Sequence, residues 1–73
     1  MSEGRDAAEL RIALPLGSWD LTLVTGDHVW LAAHAYSEEN GELVFSVLMD
    51  GAPAFYVDVF RITAALVSNV DGG

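Results

Sequence analysis

Three short turn signals, Gly17-Ser18, Gly26-Asp27 and Asn40-Gly41, recur along the first two thirds of the chain. Each is flanked by alternating or β-rich stretches, the strongest short-range signature of a hairpin. A looser turn, Asp50-Gly51-Ala52-Pro53, follows. These turns predict strands over 10–16, 19–25, 28–37, 42–49 and 54–61, an antiparallel meander of five strands.

The expected register follows from the turns, because residues opposite one another in a hairpin share a face. Two-residue loops place Leu16 opposite Trp19, Leu23 opposite Trp30, Leu21 opposite Ala32, Trp19 opposite His34 and Tyr36 opposite Phe45. The odd-length loop 51–53 carries Phe55, Val57 and Val59 onto the same apolar face. Pro15 cannot donate to a ladder, so strand 10–16 belongs at an edge. A three-residue Glu39-Asn40-Gly41 loop would flip one strand and take His34 out of the core. In the final segment, Thr63 caps a short helix over about 64–69, with Ile62, Leu66 and Val70 on one stripe and Gly72 beyond its end. A further strand is the competing reading there.

The expected fold class is therefore mainly β: a small antiparallel five-stranded meander with a short C-terminal helix or helical turn. The sheet is either open or curled into a small barrel. In outline, hairpins followed by a helical turn, it resembles SH3-type barrels, although no motif carries the likeness and fold alone does not give function.

At 73 residues the chain makes one domain, read as 10–71 behind a flexible tail over 1–9. So short a chain buries only about 60 % of its unfolded surface. It has no cysteine to staple it, yet 52 % of its residues are hydrophobic. Association is the remaining common source of stability. Eleven acidic residues against three arginines and no lysine give a net charge of −8. That excludes the clustered cations needed to bind nucleic acid directly and disfavours anionic membranes. The polar, acidic start is unlike a signal peptide, and no apolar run approaches the roughly 18 residues of a membrane span. A cytoplasmic location is expected.

Candidate chemistry is sparse. His28 and His34 lie six residues apart in one strand, roughly 20 Å, and cannot share a metal. His28 is read as solvated and His34 as a core histidine. Ser18 or Ser46, His34 and Asp58 could form a hydrolytic triad on paper, but the expected register puts Asp58 and His34 on opposite faces. No turn has the form of a nucleophile elbow. Glu38, Glu39 and Glu42 crowd an exposed hairpin tip, and no glycine motif cradles phosphate. No enzyme activity, cofactor or metal is expected.

The opposite sheet face is less polar than a solvated face should be. Val29, Leu31, Val44, Leu48, Tyr56 and Phe60 would form a patch larger than monomers usually expose. Covering by the C-terminal helix is one reading; an interface, most simply a homodimer, is the other. The expected function is a non-enzymatic interaction or assembly module. The alternatives are a small-molecule binder near Trp19, Trp30 and His34, and an acidic regulator of a basic, nucleic-acid-binding partner.

Overall fold

A computed structural model describes residues 11–72; the tail expected over 1–9 lies outside them. Among the described residues the fold is mainly β, with two antiparallel sheets that remain open. The strands are β1 (Arg11–Ile12), β2 (Gly17–Leu23), β3 (His28–Ala33), β4 (Ala35–Glu39), β5 (Glu42–Asp50), β6 (Phe55–Thr63) and β7 (Val67–Gly72). A 3-10 turn, Ala64–Leu66, joins β6 to β7. One sheet runs β3-β2-β7. In the other, β5 is central, flanked by β6 on one side and by β4 and β1 on the other.

The meander is corrected at both ends. Gly17-Ser18 does not turn the chain: both residues lie within β2, and the strand expected over 10–16 shrinks to β1. β1 pairs with β5, Ile12 opposite Met49, rather than with its sequence neighbour. At the other end the expected helix is a single 3-10 turn. The chain then returns as β7 beside β2, with Leu21 opposite Val70, a partner 49 residues further along the chain that no local pattern announces. The sheets do not close into a barrel.

Between the ends, two of the turns decide which side chains face inward. Asn40 and Gly41 both have positive φ, 52° and 79°, the backbone of a two-residue type I′ turn. Tyr36 therefore stands opposite Phe45, as expected. At Gly26 the loop is one residue longer than expected. Leu23 N–H donates to the Asp27 carbonyl at 2.8 Å, leaving Val24, Thr25 and Gly26 as the loop. Trp19 then meets Leu31 and Asp20 meets Trp30. One residue of slip exchanges the faces of a strand. Val29, Leu31 and Ala33 turn inward, and Trp30 turns outward, 72 % exposed.

Trp30→Ser is accordingly expected to change unfolding free energy by no more than about 0.5 kcal/mol, as at an ordinary surface position. Urea denaturation checks this; a loss of about 3 kcal/mol would place the ring in the core.

Strands β3 and β4 form one path bent at His34, and the bend carries the chain from one sheet into the other. Strands that switch sheets commonly do so at a bend. His34 secures this corner. Its backbone N–H donates to the Ser46 carbonyl at 2.9 Å, and its ring Nδ1 accepts from Leu48 N–H at 2.8 Å. The ring thus supplies a ladder acceptor where β4 has left β5. The turn pattern sets His34 opposite Trp19 and Val47 on a continuous strand; its place is instead the corner itself.

The core lies between the sheets. Leu21, Ala33, Leu43, Phe45 and Val47 are buried, with Leu16, Trp19, Val29, Leu31, Met49, Phe60, Ile62, Ala64, Val67 and Val70 packed around them. Trp19 spans the gap. Its ring meets Tyr36 and Phe45 edge-on, at centroid distances of 5.1 and 5.6 Å, while Nε1–H donates to the Ala33 carbonyl at 3.0 Å.

Candidate interaction surface

The longest hairpin, β5–β6, begins inside the core and ends outside it. Phe45 is fully buried; further along, Met49 stands opposite Phe55 on one side and Ile12 on the other. Residues opposite one another share a face, so Ile12, Met49, Phe55 and Val57 continue the inner surface across three strands. Nothing among the described residues covers the end of that surface. Ile12, Phe55 and Val57 remain 45 %, 44 % and 40 % exposed.

A bulge divides β6. Val47 faces Val57 and Ser46 faces Asp58, but Phe45 faces Phe60, so one extra residue, Val59, sits between the two halves. A bulge changes the phase of the strand that carries it. Phe55 and Val57 face inward before it, as expected from the sequence. After it Phe60 and Ile62 face inward, and Arg61 joins Asp58 on the outer face.

That outer face is charged. The Arg61 guanidinium reaches Asp58 at 2.9 Å, Glu42 at 3.3 Å and Glu39 at 3.8 Å. Hydrogen bonding to Asp58 leads the influences that push its pKa up, ahead of Glu42 and the surrounding negative charge and against some desolvation. The arginine stays cationic at every physiological pH. Beside it, Ser46 Oγ donates to Asp58 Oδ1 at 3.2 Å, and Tyr56, 59 % exposed, stands opposite Leu48. Ala35, Ser37, Ser46, Tyr56 and Asp58 help line an open groove of about 330 Å³ here.

The six residues expected to share one interaction face do not. Val29, Leu31 and Phe60 pack against the buried core, the first two because of the longer Gly26 loop and the third because of the bulge. Val44 is on the outer face of β5 but buried, with Ser37 and Arg61 directly opposite it on either side. Leu48 and Tyr56 remain together on that face. The exposed apolar group that the sequence pattern does not reveal is Ile12, Phe55 and Val57.

The other polar groupings are small. His28 Nδ1 lies 2.8 Å from Asp20 Oδ1, and its ring stacks on Trp30 at 5.5 Å. The pairing of Ser46 with Asp58 does not extend to His34, whose Nδ1 is bound to Leu48. The pocket expected near Trp19, Trp30 and His34 loses its lining, because Trp30 points away from the interior. Among the described residues, no three His, Asp or Glu side chains are placed to hold a metal ion. No helix among them is long and apolar enough to cross a membrane. Compared with known protein families, curated proteins and solved structures, the chain matches none.

Proposed function

We propose that this protein is a small, acidic, cytoplasmic interaction module that works by assembling with a second copy of itself rather than by catalysis. The observation that supports the reading is the exposure of Ile12, Phe55 and Val57, which flank the half-buried Met49 across β1, β5 and β6. Contiguous apolar surface of this kind marks interaction sites. Aromatic side chains such as Phe55 are frequent anchors of interfaces. A second copy would also supply the burial that so short a chain lacks by itself.

Light scattering over a hundredfold concentration range tests this. The mass is expected to rise above the 7.8 kDa of one chain. Phe55→Asp is expected to weaken association at least about tenfold, since it places a charge in the apolar surface that the second copy would cover. Its β-type circular dichroism should be unchanged, because Phe55 lies outside the core. A wild-type chain that stays at monomer mass overturns the self-assembly reading. Salt-sensitive retention of the acidic chain by a basic protein would then favour the regulator reading.

A further inference from the structure

The free edge of β6 carries a further inference, which rests on the self-assembly reading and specifies its geometry. β6 is nine residues long, Phe55 to Thr63, and all but Phe60 and Ile62 are exposed. It pairs with β5 along one edge; among the described residues no strand pairs along the other. β1, the first described strand, lies on the far side of β5. A long apolar edge with open N–H and C=O groups is a template for another strand.

Read antiparallel against itself, the β6 sequence is self-complementary. Consider a two-fold axis between Val59 and Phe60. It sets Asp58 opposite Arg61 of the second copy, Val57 opposite Ile62 and Tyr56 opposite Thr63, each contact occurring twice. In a regular strand this register is forbidden, because residues three apart point to opposite faces. The bulge at Val59 removes the obstacle. Asp58 and Arg61 stand opposite Ser46 and Val44, which share one face of β5, while Val57 and Ile62 stand opposite Val47 and Leu43 on the other. Opposite charges thus meet on one face and apolar side chains on the other, and both kinds of cross-strand pair are favourable.

We infer that two copies of this chain join β6 to β6 in that register, fusing their sheets into one. The half-exposed Val57 gains the partner's Ile62 as a cross-strand neighbour, and Phe55 comes beside the partner's Ala64. Each Asp58 and Arg61, already paired within its own chain at 2.9 Å, gains a further, oppositely charged partner across the axis.

Charge reversal tests the register. Asp58→Arg sets two arginines against each other across the axis, and Arg61→Asp sets two aspartates together. Each variant alone is expected to dimerise at least about tenfold more weakly than wild type, since both symmetry-related pairs become repulsive. An equimolar mixture is expected to form a heterodimer tighter than either homodimer, because both pairs are then opposite in charge. Native mass spectrometry separates the three species. Damage to the pair within one chain would not be repaired by mixing, so the heterodimer reports the contact between copies.

A covalent variant gives an independent check in a chain without cysteine. Directly opposite residues lie within disulfide reach, whereas Val57 and its own symmetry mate are about 16 Å apart along the strand. Oxidation of Val57→Cys mixed with Ile62→Cys is expected to give linked dimers, and Val57→Cys alone is not. Loss of association in Phe55→Asp, with no heterodimer and no mixed cross-link, would overturn the edge register while leaving the interaction reading standing. A monomeric wild-type chain overturns both.

Discussion

Phe45→Ala is expected to cost about 3–5 kcal/mol, the range for emptying a buried phenylalanine site. For a domain of this size that is most or all of the stability available. Phe45 has no exposed surface and meets aromatic rings on three neighbours: Trp19 edge-on, Tyr36 stacked at 5.2 Å and Phe60 tilted at 6.2 Å. These neighbours sit on β2, β4 and β6, so both sheets lose a contact at once and collapse into the void is restricted. Urea denaturation followed by far-ultraviolet circular dichroism should show the midpoint fall to near zero denaturant. A loss below about 1 kcal/mol would mean that the two sheets do not meet at this residue.

Trp19→Ala is expected to cost a comparable amount, about 3–5 kcal/mol, and Trp19→Phe separates its two contributions. The phenylalanine variant keeps an aromatic ring against Tyr36 and Phe45 but removes the Nε1–H that bonds the Ala33 carbonyl. A partly buried acceptor left without its donor costs about 1–3 kcal/mol. The expected order of stability is therefore wild type, then Trp19→Phe, then Trp19→Ala, measured by the same denaturation. Trp30 provides the contrast, since replacing it should leave the curve almost unmoved. If replacing Trp30 cost as much as replacing Trp19, the longer loop at Gly26 would be excluded, because a two-residue loop puts both rings on the inner face.

The placement of Trp30 shows where a sequence of this kind is readable. Residues 28–33 run His-Val-Trp-Leu-Ala-Ala, and both phases of the alternation contain apolar side chains. Trp30 and Val29-Leu31 compete for the core on nearly equal terms, so loop length settles the matter. Gly26 at the third position of a three-residue loop, with φ of 93°, is a recognised pattern. Gly26-Asp27 matches the two-residue pattern as well, which is why the sequence leaves the loop length open. The bulge has a plainer trace. Phe55, Val57, Phe60 and Ile62 step by two, then three, then two, a phase slip that a regular strand does not explain.

The exposed apolar end is harder to read. Whether Phe55 and Val57 are covered depends on which strands stack over the far half of the β5–β6 hairpin. A meander would put residues 28–33 beside β5; the bend at His34 sends them to the other sheet, and two residues of β1 take the place. β1 extends that sheet sideways without covering its inner face, and the end of the hairpin stays open.

By itself the sequence determined the β class, the Asn40-Gly41 hairpin with Tyr36 opposite Phe45, and the inward facing of Phe55 and Val57. All of these rest on contacts between residues close along the chain, where turn chemistry and alternation act directly. Only the tertiary structure decided the division into two sheets, the corner at His34 and the return of β7 to β2. It also decided which apolar residues were left without cover. Those features depend on strands far apart in sequence competing for the same edges, and the outcome of that competition is a property of the whole packed chain.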